Sequence, residues 1–301
     1  MVHFLYYLKQ ILSVIVDEEV LDKYFYHFVK LYYAVFKTNR KGVSSKKRKR
    51  KVIISLTTIP GRIDSVWVTI ESLLRQDCKP DGVILWLSQE EFRGKDIPVK
   101  LQRQIKRGLK IKYCKDIKSY KKVIFTAQEY PDAYIITADD DIIYSEKMVK
   151  TLLKEYKKNP GCIICTRSHK IMQRQGRVLP YYRWEKYERR KVIDSAPSYS
   201  NFFTSGAGTL IPVFRMNKVM LNEKAFMKLA PTADDVWLNF VAWGSKIKTV
   251  NAKGVLGNII SNRENSNNGL YIENVLKQKN DIQIEKVLKY LNINAEDFLS
   301  K

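Results

Sequence analysis

Short unbroken apolar runs take turns with stretches of three-to-four-residue periodicity through the middle of the chain. "VIISL" (52–56), "VILWLS" (83–88), "LKIKYC" (109–114), "AYIITA" (133–138) and "CIICT" (162–166) have the length and composition of strands. Most are apolar at nearly every position, as expected of a sheet covered on both faces. Between them, Trp67, Ile70, Leu73 and Leu74 share one helical face, and further helices are expected near 97–108 and 121–129. Met148, Val149, Leu152, Leu153 and Tyr156 mark another, which stops at "NPG". This alternation predicts an α/β domain with a mostly parallel sheet between helices.

On either side the pattern changes. Leu21, Tyr24, Phe25, Phe28, Tyr32, Val35 and Phe36 recur at helical spacing, with Lys23, Lys30 and Lys37 between them. "NRKGVSSKKRKRK" (39–51) holds eight basic residues and no acidic one, and reads as a linker or basic arm. Residues 170–200 read as long loops, and "TSGAGTLIPV" (204–213) as a glycine turn entering a strand. A helix is expected from near Asp234, a polar loop over 262–268, and helix over most of 271–299. The expected organisation is a helical, basic segment over 1–50, a catalytic domain over 51–265 and a helical tail over 266–301.

Charge changes this picture by suggesting partners. Fifty-four Lys and Arg against 31 Asp and Glu leave a formal charge of +23, which attracts nucleic acid, anionic lipid or phosphorylated small molecules. The hydrophobic share of 45% suits a folded core and excludes disorder of the whole chain. Cys162 and Cys165 form a C-x-x-C with no second ligand pair, so they read as core thiols rather than a zinc site, in a reducing compartment. The first 20 residues lack a basic leader and a small-residue cleavage site. Lys9 and Gln10 interrupt them and Asp17, Glu18 and Glu19 end them, short of the roughly 20 apolar residues that span a bilayer. A helix lying in the membrane plane stays open.

The chemistry centres on "ADDDIIYSE" (138–146). Asp139, Asp140 and Asp141 follow a buried strand, and ligands of open α/β sheets bind beyond the carboxyl ends of the strands. Clustered carboxylates there call for a cation; their hard oxygens suit Mn²⁺ or Mg²⁺, which in turn bind substrate phosphate. A solvated acidic turn is the plainer reading, and the flanking apolar residues speak against it. "PTADD" (231–235) supplies a second pair, Asp234 and Asp235, which reads either as a general base or as carboxylates favouring a helix N-terminus.

Four stretches together resemble the GT-A glycosyltransferases, most closely the bacterial family-2-like enzymes of capsule and lipopolysaccharide glycan synthesis: "SLTTIPGR" (55–62), "ITADDDIIY" (136–144), "NFFTSGAGTLIP" (201–212) and "PTADDVWL" (231–238). The resemblance implies a GT-A-like nucleotide-binding sheet over roughly 51–265. It implies that Thr57, Thr58, Pro60 and Arg62 contact the nucleotide, that Lys121 and Lys122 face the diphosphate, and that Asp140 belongs to the donor site. Asp139 and Asp141 would form the metal-binding Asp-x-Asp. Asp235 would be the base of an inverting transfer, with Asp234 beside it. Ser205 and Gly206 would let backbone approach the donor sugar, a plain turn being the rival reading. Tyr182, Trp184 and His169 are weak acceptor-side candidates; core packing suits the aromatics equally, and a lone His is more often structural.

The implied activity is metal-dependent transfer of a sugar from a nucleotide-sugar, a UDP-sugar first, to a bacterial surface glycan or lipid-linked acceptor. A retaining glycosyltransferase or a nucleotidyltransferase also needs an acidic metal site. A nucleic-acid-binding protein would use the basic arm but leaves the carboxylates unexplained, so no nucleic-acid partner is expected. Residues 1–50 would hold the enzyme peripherally on the cytoplasmic face of an anionic membrane, and on that reading a chain starting near Lys51 stays soluble. Packing on the domain or pairing of two protomers is the alternative for this segment.

Overall fold

The computed structural model describes residues 1–175, 177–186, 196–252, 259–262 and 279–299. Helices α1 (Val2–Leu12) and α2 (Glu18–Val35) come first. The central block then runs β1 (Val52–Thr57), α3 (Trp67–Leu74), β2 (Gly82–Ser88), α4 (Gln89–Phe92), α5 (Val99–Ile105), β3 (Leu109–Cys114), α6 (Lys121–Glu129) and β4 (Tyr134–Ala138). It continues through β5 (Ile142–Ile143), α7 (Met148–Lys158) and β6 (Ile163–Cys165). Short strands follow: β7 (Ser168–Lys170), β8 (Gln173–Arg174), β9 (Arg177–Val178), β10 (Glu185–Lys186) and β11 (Asn201–Phe203). Then come β12 (Ala207–Pro212), α8 (Glu223–Leu229), α9 (Asp234–Gly244), β13 (Thr249–Asn251), β14 (Ile260–Ser261), α10 (Lys279–Tyr290) and α11 (Glu296–Leu299).

Seven strands form the main sheet in the order β13-β6-β12-β4-β1-β2-β3. All neighbours are parallel except β12, which runs antiparallel to both β4 and β6. The expected mostly parallel α/β sheet is therefore present. Alternate residues serve two cores, as the pleat dictates. Ile54, Leu56, Leu85 and Ile136 meet α1, α2, α3, α5 and α7 on one face. Ile135, Ile163 and Ile211 meet α6, α8, α9 and α10 on the other. β6 carries Cys165 into this second core, and both cysteines of the C-x-x-C are free thiols.

Three expectations change. Residues 168–203 contain a three-stranded sheet, β10-β7-β11, and a β8–β9 hairpin where loops were expected. The basic stretch 39–51 is not an arm but a strap: Gly42 N–H donates to Arg107 O at 2.9 Å and Ser44 N–H to Pro80 O at 2.7 Å. Arg48 pairs with Asp81 at 2.8 Å, while Arg50 pairs with Asp132 at 3.2 Å and lies over the Phe214 ring. Finally, the apolar residues of α2, read as one stripe in the sequence, divide between a buried and an exposed face. Leu21, Asp22, Tyr26, Val29 and Tyr33 are buried, whereas Tyr24, Phe28 and Val35 are exposed. Val2, Leu5, Tyr6, Tyr26, Val29 and Tyr33 share one core with β1, β2 and β4, so residues 1–36 are built into the domain. Among the described residues, no helix is long and apolar enough to cross a membrane. Most of the 262–268 loop, residues 271–278 and the 265/266 boundary lie outside the described residues.

Candidate active site

β1, β2 and β4 end at one rim of the sheet, where the antiparallel β12 begins. Three connections meet there: the loop after β1, the acidic trio after β4, and the turn that leads back into β12, where Ala207 lies opposite Ala138. α6 and α9 begin at the same rim, which brings Lys122 and the Asp234–Asp235 pair to the trio.

The trio alternates as Asp-x-Asp should. The Asp140 side chain is 9% exposed, those of Asp139 and Asp141 39% and 30%. Asp140 is tied inward: Thr58 Oγ1 donates to it at 2.5 Å, Arg62 Nη1 at 2.8 Å, and Thr69 Oγ1 donates to its backbone carbonyl at 2.9 Å. Arg62 also reaches Asp141 at 3.1 Å. Burial works against the Arg62 charge, but Asp140 and Asp141 outweigh it and raise its pKa above the ordinary value. Burial pushes the Asp139 carboxyl up, yet the adjacent Lys122, with Arg167 and Arg62 further off, brings it below its usual range. At Asp141 the nearby Arg62 charge is not enough. Burial and the charges of Asp139 and Asp140 push it up to about 7.

Backbone geometry holds the trio against the turn before β12. A Cβ on Gly206 would stand 1.5 Å from Asp139 Oδ2, so no larger residue fits while Asp139 keeps its place. Tyr144 O–H donates to Gly206 O and accepts from Asp139 N–H at 2.8 Å. The Gly206 role is thus to make room for a carboxylate. Asp139 N–H also donates to Gly206 O at 3.1 Å.

Lys122 bridges the two acidic groups. Its Nζ donates to Asp139 Oδ1 at 2.7 Å and stands 3.6 Å from Asp234 Oδ2. Burial works against its charge, but Asp139, Asp234 and Asp235 overcome that and raise its pKa, so it stays a cation. Asp234 is buried and saturated: Ser119 Oγ donates to Oδ1 at 2.7 Å and Ser205 Oγ to Oδ2 at 2.8 Å. Asp235 accepts Ser205 N–H at 2.7 Å. Burial and the Asp234 charge push its carboxyl up to about 7, against Lys122 and Ser205. Both acids open α9 behind Ala233, which has no side chain to cap the helix, so they also face the positive end of its dipole.

Other sequence candidates lie apart from this cluster. Thr57 Oγ1 donates to Trp86 O at 2.8 Å, an inter-strand role. Pro60 opens a short 3₁₀ turn that carries Arg62. Lys121 pairs with Asp116 after β3 rather than with the trio. Trp184 is buried in the second core, its Nε1 donating to Leu179 O at 2.8 Å, so it offers no ring to an acceptor. His169, on β7, meets Tyr181 edge-on at 5.6 Å. Tyr182 is exposed. Ser119 and Tyr144 were missed. Tyr144 closes the "ITADDDIIY" stretch but was given no role there, and Ser119 carries no motif and lies 115 positions from Asp234.

Among the described residues no group of three or more His, Cys, Asp and Glu is placed to hold a metal ion. The donor set fits a more open mode. Mg²⁺ commonly takes one or two carboxylates and completes its shell with water and substrate phosphate. Asp139 and Asp141 are two hard, partly open carboxylates, and the raised Asp141 marks negative charge that Arg62 does not fully balance.

No family model matches the chain, and no curated protein does. Similar solved structures include the mannosyltransferase PcManGT from Pyrobaculum calidifontis in complex with GDP-Man and Mn²⁺, at 13% identity and TM-score 0.44 over 83% of this chain and 67% of that one. S. aureus TarS 1–349 is similar at 14% identity and TM-score 0.43, over 68% of this chain; the match spans only 59% of TarS 1–349. CMP:2-keto-3-deoxy-manno-octonic acid synthetase complexed with CTP is similar at 11% identity and TM-score 0.39, over 67% and 88%. Likenesses this loose carry no residue roles across.

Proposed function

We propose that this protein is a glycosyltransferase that moves a sugar from a nucleoside-diphosphate donor to an acceptor hydroxyl, with Asp235 as the base. One observation carries the reading: at one rim of the sheet, Lys122 bridges the open Asp-x-Asp, through Asp139, and the second acidic pair, through Asp234, whose neighbour Asp235 has its carboxyl raised to about 7. The two acidic clusters suit two tasks. Asp139 and Asp141 would hold Mn²⁺ or Mg²⁺, which when bound supplies charge neutralisation for the departing diphosphate. Thr58 and Arg62 both hold Asp140, between these two carboxylates, and Arg62 could exchange its carboxylate partners for phosphate oxygens. Asp235 takes the proton of the acceptor hydroxyl as the new glycosidic bond forms and the bond from sugar carbon to phosphate oxygen breaks. An attack from the face opposite the diphosphate makes the transfer inverting. Asp234, saturated by Ser119 and Ser205, positions Asp235 and Lys122.

The acceptor proposed is a surface glycan or lipid-linked saccharide. The test is release of nucleoside diphosphate from a panel of UDP- and GDP-sugars with lipid-linked and soluble acceptors, with Mn²⁺ or EDTA. Metal-dependent release that Asp141→Ala and Asp235→Asn abolish is expected. Turnover that persists in EDTA removes the metal from the reading. Incorporation of nucleoside monophosphate with loss of pyrophosphate replaces it with nucleotidyl transfer.

A further inference from the structure

α1 and α2 each bury one face and leave a second apolar face uncovered. On α2, Val20, Tyr24, Phe28, Leu31 and Val35 follow one another at steps of three and four residues, so they form a stripe of their own. All five are exposed, Leu31 at 65% and Val35 at 64%. Phe4, Tyr7 and Ile11 repeat the pattern on α1, and Val14 and Ile15 extend it past the helix end. A soluble monomer seldom leaves so much apolar surface contiguous in water.

Cations border this surface. Lys23 and Lys30 lie along one edge of the α2 stripe, and Lys37 follows just past the helix end. That edge leads into a cleft of about 810 Å³ between the end of α2 and α5, where Lys37, Lys100, Arg103, Lys106 and Arg107 surround Trp67. Its one acid, Glu71, already accepts from Arg75 at 2.7 Å and Arg107 at 2.5 Å, so the cleft is basic on balance. Two occupants would suit the apolar face, a second copy or a lipid surface. Charge selects between them: two chains at +23 repel, whereas an anionic leaflet attracts.

We propose that the uncovered face of α1 and α2 seats the protein in the interface of an anionic phospholipid bilayer, with the α2–α5 cleft taking lipid phosphate groups. The stripes insert among acyl chains while the lysine edge and the cleft hold headgroups, the two signals that stable peripheral attachment needs. Sequence periodicity pointed to the helices; the cleft, drawn from residues some 70 positions apart, it could not show. This attachment stands independently of the carboxylate site.

The test is co-sedimentation of the full chain with phosphatidylcholine vesicles and with vesicles containing phosphatidylglycerol. Binding to the anionic vesicles should be at least about tenfold tighter and fall with added salt. Phe28→Glu with Leu31→Glu should weaken it by more than about tenfold, since two apolar side chains are lost from the lipid. Lys100→Glu with Arg103→Glu should remove the preference for anionic lipid. All four positions are exposed, so melting followed by circular dichroism should match the wild type. Equal sedimentation of the wild type and the Phe28→Glu/Leu31→Glu protein overturns the proposal. So does a concentration-dependent dimer in light scattering that this variant abolishes, without vesicle binding; the occupant is then a second copy. An unchanged lipid preference in Lys100→Glu/Arg103→Glu takes the cleft out of it.

Discussion

Asp234 and Asp235 are chemically identical neighbours with opposite environments, and the difference assigns their roles. Asp234 is buried among Ser119, Ser205 and Lys122 and has no room for a substrate proton. Asp235 keeps a raised carboxyl and a single short backbone partner. As the proposed base it must be ionised, so kcat/KM should rise with pH through about 7 and level off above it. Its effect on stability has the opposite sign. The folded chain holds this proton more tightly than the unfolded chain, whose Asp titrates near 3.8. That contribution to folding is complete below 3.8 and lost as pH rises through about 7. Asp235→Asn should therefore lower kcat by about 100- to 10,000-fold, yet melt at pH 8 no lower than the wild type. Asp234→Ala should instead destabilise by about 2 kcal/mol in urea titration, because buried hydroxyl donors lose their acceptor. Were the two outcomes exchanged, Asp234 would be the base. The acidic residues themselves were legible, since three adjacent carboxylates beside apolar runs conflict with burial unless a cation is near. Their division of labour was not: it depends on Ser119 and Ser205, which only the fold brings to Asp234.

At the scale of elements, the five main strands and the longer helices between residues 52 and 166 could be read from their local pattern, whereas the short α4 and β5 could not. What could not be read is how distant elements pair. β6 follows β4 and α7 in sequence, yet β12 enters between β4 and β6 and runs against both. This insertion carries Ser205 and Gly206 to the trio, so half of the site depends on a pairing with no local signal. The basic strap teaches the same lesson. Its composition reads as a solvated arm, but Gly42 passes so close to α3 that a Cβ would meet Leu74 Cδ2 at 2.6 Å and Leu74 O at 2.7 Å. Gly42→Ala should cost about 1–3 kcal/mol through this overpacking, measured by chemical denaturation, while Lys47→Ala, at an exposed position on the same strap, should change stability by less than about 0.5 kcal/mol. Equal effects at the two positions would show that the strap does not press on α3 in solution.

For the whole molecule, the question is whether residues 1–36 are an appendage or part of the folding unit. Composition favoured an appendage: apolar helices, then a run of positive charge. The packing favours the folding unit. α1 begins on Glu146, whose carboxylate accepts the backbone N–H groups of Val2 and His3 at 2.8 Å each. Tyr6 O–H donates to Ile143 O, and the buried Lys9 pairs with the buried Asp22 to join the two helices. Val2, Tyr6, Tyr26 and Val29 then complete the core that Val52, Ile54 and Ile136 begin. Removing α1 and α2 would uncover that core and leave Ile142 and Ile143 facing water. Each fully buried aliphatic or aromatic side chain is worth about 1.5–3 kcal/mol, so the loss rivals the 5–15 kcal/mol by which a whole domain is usually stable. A chain beginning near Lys51 should therefore be insoluble or lack cooperative melting, contrary to the expectation from composition. The intact protein should unfold with coincident far- and near-ultraviolet circular dichroism transitions, since one core serves both parts. A soluble, cooperatively folded product from Lys51 onward would return α1 and α2 to the status of an appendage. It would leave the lipid-facing stripes standing, because those residues lie on the faces that the core does not use.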